Sequence, residues 1–172
     1  IVIRANDIIN TNGSQQAVDI LSAVLIDEGD KILIEKPSYL AALQVFHLYN
    51  PKINSVTLNH HGIDLQELTA YLEQKPKFFY AIPTFQNPTG LTYDNETRIA
   101  LANLLKKTNT IFIEDNPYGD LRFNDETFLP IYPLLKDQTI LLGTFSKIVS
   151  PGMRIGWIAC SNSYLKQKLL AS

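Results

Sequence analysis

The sequence predicts an α/β protein, a three-layer sandwich in which helices cover both faces of a mostly parallel sheet of seven strands. Short apolar runs alternate along the chain with longer segments of helical periodicity, as expected for parallel strands joined by crossover helices. Residues 78–82 form an apolar run with almost no polar alternation, which predicts a strand buried on both faces. The 172 residues suffice for one domain with a core, and the hydrophobic fraction of 45% is that of a globular protein.

Each predicted strand is a short apolar run that ends at a turn signal or a polar cluster. In chain order these runs are residues 8–11, 31–35, 53–58, 78–82, 110–113, 139–143 and 155–160. The intervening segments repeat apolar residues at helical spacing, and a residue suited to a helix N-terminus precedes each one. These predicted starting residues are Ser14, Ser38, Asp64, Asp94 or Asn95, and Asn162.

Charge and cysteine content narrow the function classes. The net charge of −2 gives no electrostatic basis for binding nucleic acid. The one cysteine, Cys160, excludes an internal disulfide framework and is expected to be a small buried hydrophobe. No apolar run approaches the roughly 20 residues of a membrane span, and the start lacks a signal peptide's apolar core. We therefore expect a cytoplasmic, reducing setting. His60 and His61 are expected to point apart, with no evident carboxylate partner and no metal site.

Polar clusters follow five of the predicted strands. Ligands of such sheets bind beyond the carboxyl ends of the strands, so we expect all five clusters at one edge. The clusters are Gly13-Ser14-Gln15, Pro37-Ser38-Tyr39, residues 86–90, residues 115–118 and residues 144–147.

The first three clusters each allow two interpretations. At Gly13-Ser14 a strand turns into a helix, where free backbone N–H groups and the helix dipole favour a phosphate, although any capped helix start looks the same. Tyr39 is placed either to stack on an aromatic ring or to pack in the core. Asn87 projects an amide from a turn, and the alternative is a turn with only a structural role.

Asp115 follows the apolar run 111–113, and a carboxylate near a buried strand end needs a cationic partner. A protonated heterocyclic nitrogen of a ligand is one candidate, and an ordinary Arg or Lys salt bridge is the other. Tyr118, three residues later, is placed to hydrogen-bond the same ligand.

Lys147 follows the apolar strand 139–143 in a hydroxyl-rich turn. Partial desolvation at a strand end would favour its neutral, nucleophilic form, whereas a surface lysine is the alternative. Thr144 and Ser146 can donate to anionic oxygens, and Arg154 can add charge opposite a phosphate. One ligand suits all five clusters, because it has a phosphate, a flat ring with a basic nitrogen, a phenolic oxygen and an aldehyde that condenses with Lys147. That ligand is pyridoxal phosphate.

Five motifs resemble the fold-type I, class I/II aminotransferases, in that family's motif order and over nearly the whole chain. The amino-acid sequences of these motifs resemble most the branch of 2-aminoadipate aminotransferases and MocR regulators. The motifs are Asn12-Gly13-Ser14-Gln15-Gln16-Ala17, Pro37-Ser38-Tyr39, Gln86-Asn87-Pro88-Thr89-Gly90, Asp115-Asn116-Pro117-Tyr118 and the segment 146–154. The resemblance implies the large domain of the aspartate-aminotransferase-like fold, a pyridoxal phosphate cofactor, amino acid and 2-oxo acid substrates, and a homodimer.

The resemblance also implies a role for each matching residue, and Lys147, Asp115 and Tyr118 become the catalytic candidates. Lys147 would bond to the cofactor and then shuttle protons, while Asp115 would keep the pyridine nitrogen protonated. Tyr39 would stack on the ring, and Asn87 and Tyr118 would hydrogen-bond its phenolic oxygen. The residues expected around the phosphate are Ser14, Gln15, Thr144, Ser146 and Arg154.

Members of this family are longer, so residues 1–172 are expected to be a large domain truncated at both ends. The smaller carboxyl-terminal domain, which holds the arginine for the substrate's carboxylate, is expected to be absent. The leading function is the cofactor-binding domain of an aminotransferase that is inactive by itself. The alternative is the effector-binding domain of a MocR-type transcriptional regulator, and a third reading is an isolated domain with no activity. The substrate amino acid cannot be inferred from this segment.

Overall fold

A computed structural model describes residues 2–121 and 128–171 and shows, within these ranges, one sheet of eight strands and five α-helices. The strands are β1 (Ile8–Thr11), β2 (Lys31–Lys36), β3 (Lys52–Asn59), β4 (Gly62–Ile63), β5 (Phe78–Ala81), β6 (Ile111–Asp115), β7 (Thr139–Thr144) and β8 (Gly156–Cys160). The helices are α1 (Ser14–Leu25), α2 (Leu40–His47), α3 (Leu65–Leu72), α4 (Asn95–Leu105) and α5 (Ser163–Leu170).

The strands lie in the order β1-β8-β7-β6-β5-β2-β3-β4. The neighbours from β3 through β2, β5 and β6 to β7 are all parallel. β8 is antiparallel to β7, and β1 is antiparallel to β8, so β1 runs in the same direction as the parallel strands. The carboxyl ends of β1, β2, β5, β6 and β7 therefore share one edge, and the strand order reverses between β2 and β5, where such sheets bind ligands.

Two core clusters lie on opposite faces of the sheet and confirm the predicted three layers. Along β5, Phe78 and Tyr80 belong to the cluster that includes residues of α1, α2 and α5. Phe79 and Ala81 belong to the cluster that includes residues of α3 and α4, because successive residues of a strand point to opposite faces. All four side chains are inaccessible to solvent, as the run at 78–82 predicted.

The sheet has one strand more than the seven predicted. β3 pairs with β4 through Asn59 and Gly62, so the intervening histidines form the turn of a short hairpin. Gly62 has a φ of 138°, and a Cβ at this position would lie 2.9 Å from the ring of Tyr93. The strand escaped prediction because two residues are too few to show any periodicity.

The histidines of that hairpin differ from the sequence prediction. The ring centroids of His60 and His61 are 4.0 Å apart, so the rings do not point away from each other. His61 Nδ1 lies 3.0 Å from Oδ2 of Asp94, which supplies the carboxylate partner that the sequence did not reveal. The hairpin meets the start of α4 because the N–H of Asp94 donates to the carbonyl of His61 at 3.0 Å. Within the described ranges, no cluster of three or more His, Cys, Asp or Glu side chains is arranged to hold a metal ion.

Three of the predicted helix starts are confirmed, because their side chains accept hydrogen bonds from backbone N–H groups of the first turn. These capping residues are Asp64, Asp94 and Asn162. Ser14 is instead the first residue of α1, preceded by Gly13, and α2 begins at Leu40 rather than at Ser38. Cys160 has no exposed surface, as expected. In the part of the chain that the structure describes, no helix is long and apolar enough to cross a membrane.

Candidate functional site

The ten predicted site residues all lie at or just beyond the edge where β1, β2, β5, β6 and β7 end. Ser14 and Gln15 begin α1 after β1, and Tyr39 precedes α2 after β2. The other positions are Asn87 after β5, Asp115 and Tyr118 at and after the end of β6, Thr144, Ser146 and Lys147 at and after the end of β7, and Arg154 just before β8.

Asp115 is the last residue of β6 and is only 3% exposed. Its Oδ2 accepts a hydrogen bond of 2.6 Å from the hydroxyl of Tyr80 on β5, whereas its Oδ1 has no partner among the described residues. Burial raises the pKa of the Asp115 carboxyl to about 6, although the bond from Tyr80 opposes the shift. A buried acceptor without a donor is costly, so this oxygen is suited to a donor on a ligand.

The salt-bridge alternative for Asp115 finds no support among the described residues, where no lysine or arginine forms an ion pair with it. Two further buried polar atoms at the same edge lack hydrogen-bond partners in the described part of the chain, namely Ser38 Oγ and Asn116 Oδ1. Three unpaired polar atoms at one sheet edge indicate a polar ligand site, because buried polar groups are almost always paired in folded proteins.

Tyr39 lies close enough to Asp115 and Tyr118 to interact with both electrostatically. Burial raises the pKa of the Tyr39 hydroxyl, and the nearby Asp115 carboxylate adds to the shift. Its hydroxyl lies 3.5 Å from Oε1 of Gln15, a weak hydrogen bond, and Gln15 Nε2 lies 3.4 Å from the carbonyl of Ala41. The start of α1 is therefore linked to the start of α2 across the site.

Gly13 and Arg154 form a close contact beside the first turn of α1. Gly13 has a φ of 84°, and a Cβ there would lie 2.9 Å from Nη2 of Arg154. The same guanidinium donates to the carbonyl of Asn12 at 3.3 Å, and the cap residue of α1, Gly13, has no side chain that could accept from the first turn. The first-turn N–H groups of α1 and the guanidinium of Arg154 therefore lie close to each other. Such a combination is suited to bind an anion.

The turn after β7 is shaped by Thr144, whose hydroxyl accepts from the N–H of Ser146 at 3.1 Å and lies 3.1 Å from the carbonyl of Ile155. Lys147 lies in this turn, and its side chain is exposed. The expected partial desolvation of Lys147 is therefore not provided by the described residues. The strand ends at Thr144, three residues earlier, which places the amine beyond the packed core.

Asn87 and Tyr118 line a common cavity of about 400 Å³, together with Phe85, Gln86, Pro88, Gly90 and Leu121. The shared cavity brings together two residues that are 31 positions apart in the sequence, and that they contact one ligand stays a prediction. A larger cavity of about 770 Å³ includes Leu72, Lys77 and Ile111 in its lining. It lies at the opposite, amino-terminal edge of the sheet, so its size gives no reason to move the site there.

Two residues beneath the site were not singled out from the sequence. Tyr80 donates a hydrogen bond to Asp115. Glu35, the penultimate residue of the strand β2, is 1% exposed. Burial raises the pKa of the Glu35 carboxyl to about 7, although hydrogen bonds from Tyr93, Gln86 and the backbone of Ile82 oppose the shift. The sequence did contain a signal for Glu35, because a single carboxylate within the strand 31–36 indicates a buried polar group with partners of its own.

Comparison with known proteins agrees with this geometry. A family model described as aminotransferase class I and II matches residues 2–171. Aromatic-amino-acid aminotransferase 1 of Thermococcus litoralis is 42% identical over 172 residues, or 96% of this chain and 41% of that protein. An uncharacterized HTH-type transcriptional regulator of Bacillus subtilis, YisV, is 36% identical over 154 residues, or 88% of this chain and 32% of the regulator.

Among solved structures, the chain is similar to LysN, the α-aminoadipate aminotransferase of Thermus thermophilus, complexed with N-(5'-phosphopyridoxyl)-L-leucine. The TM-score is 0.93 at 34% identity, and the match covers 98% of this chain and 44% of that one. The chain thus spans less than half the length of each of these proteins. With its α/β sheet, its motif order and a family model that matches nearly every residue, the chain belongs to the aminotransferase class I and II family.

Proposed function

We propose that this chain is the cofactor-binding large domain of a pyridoxal-phosphate-dependent aminotransferase, which moves an amino group between an amino acid and a 2-oxo acid. The main support is Oδ1 of Asp115, which is buried at the end of β6 and has no hydrogen-bond partner in the described part of the chain. A protonated pyridine nitrogen is the kind of donor that this acceptor lacks. The phosphopyridoxyl ligand of the Thermus structure shows that a relative of the same fold binds such a ring.

The residues at the sheet edge fit the remaining parts of the cofactor. The phosphate would lie against the first turn of α1 and the Arg154 guanidinium, which already approach each other at Gly13. Its expected ligands are Ser14, Gln15, Thr144, Ser146 and Arg154. The ring would stack on Tyr39, and Asn87 and Tyr118 would donate to its phenolic oxygen. When bound, the cofactor supplies an aldehyde that bonds to amines and a ring that accepts electron density.

The chain's own residues would then hold and move protons. Asp115 has a pKa of about 6, so it is mostly ionised near pH 7, and a cationic partner would favour the ionised form further. In this form it would keep a proton on the pyridine nitrogen. Lys147 Nζ would hold the aldehyde and afterwards carry a proton to and from the substrate Cα. Its exposure requires that surfaces beyond the described residues exclude water from the site.

The test of this function uses the full-length gene product and its Lys147→Ala variant. Wild-type protein mixed with pyridoxal phosphate is expected to develop a visible absorption band that survives dialysis, because the aldehyde bonds to Nζ. The Lys147→Ala protein should lack the band although it folds normally by circular dichroism. Lys36→Ala, which removes an exposed lysine of β2, serves as the matched control. A band of equal strength in Lys147→Ala would assign the amine to another residue.

The isolated segment 1–172 is expected to turn over no amino acid, although its parent protein does. Catalysis requires an anchor for the substrate's carboxylate and a closed, dry site, and the described residues leave Lys147 exposed. The family's carboxylate-binding arginine has no match in this segment. The measurement mixes the purified segment with pyridoxal phosphate, a panel of amino acids and 2-oxoglutarate, and follows glutamate, with the full-length protein as positive control. Several turnovers per segment would refute this expectation.

An alternative is the effector-binding domain of a MocR-type regulator, and the 36% identity to the Bacillus regulator supports it. The two functions share the cofactor pocket and differ in whether a DNA-binding domain accompanies it. Sequencing the gene on both sides of this segment and testing the full-length product for transamination and DNA binding would separate them. A homodimer, drawn from the family resemblance, and a cytoplasmic location, drawn from the composition of the sequence, are further parts of the proposal.

A further inference from the structure

A buried polar cluster lies directly behind the site, where the strand order reverses between β2 and β5. It consists of Glu35 on β2, Gln86 in the loop after β5, and Tyr93 before α4. Their exposed fractions are 1%, 1% and 0%. The proposed function gives none of the three a role toward the cofactor, although Gln86 also lines the cavity beside Asn87 and Tyr118, so the cluster needs an explanation of its own.

Glu35 accepts several hydrogen bonds at once. The hydroxyl of Tyr93 donates to Oε1 at 2.7 Å, the amide of Gln86 donates to Oε2 at 3.1 Å, and the backbone of Ile82 adds a further bond. A carboxylate accepts several bonds without donating any. This arrangement compensates for the cost of burying the Glu35 carboxylate, and it fixes the orientation of the Gln86 amide.

Gln86, held in this orientation, forms hydrogen bonds to two segments of the site. Its Nε2 also donates to the carbonyl of Pro37 at 2.9 Å, two residues before Tyr39. Its Oε1 accepts from the N–H of Thr89 at 3.0 Å and from the Thr89 hydroxyl at 2.7 Å. The side chain of Gln86 thus forms hydrogen bonds through both its nitrogen and its oxygen. These bonds connect the loop that contains Asn87 with the segment that leads into Tyr39.

We propose that Glu35 is a positioning residue that, through Gln86, holds Asn87 and Tyr39 where they contact the cofactor ring. The contact with the cofactor rests on the proposed function, whereas the anchoring of the loop stands on the hydrogen bonds alone. Asn87 follows Gln86 directly, so a rotation of the Gln86 amide displaces the loop beside it. The same rotation releases the carbonyl of Pro37 and with it the start of α2.

The test compares Glu35→Met, Glu35→Gln and Thr110→Val with the wild type in the full-length protein. Glu35→Met keeps the length of the side chain and removes both acceptor oxygens. Glu35→Gln keeps one acceptor for Gln86, while the Tyr93 hydroxyl can rotate to accept. Thr110→Val is the matched control, because Thr110 is 1% exposed and donates to the carbonyl of Pro76 at 3.0 Å, at the opposite edge of the sheet.

The first readout is hydrogen exchange of the Thr89 amide in the protein without cofactor. Exchange in Glu35→Met is expected to accelerate about tenfold or more, since the hydrogen bonds to the Glu35 oxygens and the local order that they support are lost. Glu35→Gln should accelerate it less, and Thr110→Val should not accelerate it beyond the change seen at other amides. The second readout is the Kd for pyridoxal phosphate by absorbance titration, which should rise in the same order of variants.

Thr89 exchange in the Glu35 variants that matches the Thr110→Val control would overturn the anchoring. Faster exchange with an unchanged Kd would overturn the positioning of the cofactor contacts. If Glu35→Met does not fold, Glu35→Gln decides, because unchanged exchange and an unchanged Kd in that variant contradict the proposal. A wild-type protein that does not bind pyridoxal phosphate would refute the proposed function, and Thr89 exchange would still decide the anchoring by itself.

Discussion

Asp115 and Tyr80 show how the site depends on single residues at strand ends. β5 and β6 are parallel neighbours, with Tyr80 opposite Ile113 and Ala81 opposite Glu114. This register brings the Tyr80 hydroxyl within 2.6 Å of Asp115 Oδ2 and leaves Oδ1 without a partner among the residues that the structure describes. One oxygen is thus oriented by the protein while the other is available to a ligand, a division expected of a carboxylate that serves a cofactor.

At this scale we predict that Asp115→Asn, made in the full-length protein, retains cofactor but loses most of its half-transamination rate. An amide keeps a hydrogen bond to Tyr80 but removes the charge that stabilises a protonated ring nitrogen, so we expect a loss of about a hundredfold or more. The measurement is the single-turnover rate per bound cofactor, followed by absorbance.

The matched control is Glu114→Gln, one residue earlier on β6. Glu114 is equally buried, but it accepts from the N–H groups of Ile131 and Tyr132, both at 2.8 Å, away from Asp115. This variant should keep a rate per bound cofactor close to that of the wild type. Near-normal turnover of Asp115→Asn would mean that Asp115 has only a structural role.

At the scale of elements, the helices that follow the strands begin in two different ways. α4 is capped by Asp94, whose side chain accepts from the N–H of Thr97 at 2.7 Å, whereas the cap residue of α1 is Gly13, which has no side chain to accept with. A capped helix has its first donors satisfied, and an uncapped helix leaves them available. The uncapped start of α1 lies at the proposed phosphate site, and the capped start of α4 has a structural role beside the β3–β4 hairpin.

We therefore predict that Asp94→Ala lowers the free energy of unfolding by about 1 kcal/mol, the usual cost of removing a helix cap, without changing cofactor affinity. Denaturant titration and absorbance titration of the full-length protein measure the two quantities. The control is Glu96→Ala, an exposed position in the first turn of the same helix, which should cost less. A drop in cofactor affinity with Asp94→Ala would contradict the separation between structural and binding helix starts.

At the scale of the whole molecule, three buried carboxyl groups with raised pKa values make the stability depend on pH. Burial raises the pKa of Glu35 and of Glu114 to about 7, and that of Asp115 to about 6. Their ordinary values are 4.5 for Glu and 3.8 for Asp. At a pH between the ordinary and the raised pKa of such a group, the folded protein binds more protons than the unfolded chain does. The free energy of unfolding therefore falls as the pH rises through this range. The N–H of Thr97 lowers the pKa of Asp94, which acts in the opposite direction, below the ordinary Asp value.

We predict that the protein without cofactor is most stable at about pH 4 to 5 and loses stability toward about pH 7, because the buried carboxylates must ionise as the pH rises. Denaturant titrations across this range measure the slope. Glu114→Gln removes one titrating group and should flatten the slope, whereas Glu96→Gln, at an exposed position, should leave it unchanged. Stability that rises steadily from pH 5 to 7 would contradict the prediction.

The sequence by itself determined the fold class, most strand and helix positions, and the sheet edge at which the site residues lie. These follow from local patterns, since alternating elements predict a parallel sheet and parallel strands place their following loops at one edge. The family resemblance added roles to particular residues, and the matching family model confirms the family. The roles of Lys147, Asp115 and Tyr118 remain predictions.

The tertiary structure decided which polar atoms are paired, because that depends on strand order and register between distant residues. Periodicity does not reveal that Tyr80 donates to Asp115, or that Glu35 orients Gln86, 51 positions later. It also does not reveal that Arg154 lies against Gly13 and against Asn12, which is 142 residues away in the sequence. The exposure of Lys147 is another feature that the sequence pattern does not reveal. Desolvation depends on which surfaces cover a side chain and not on the apolar strand that precedes it.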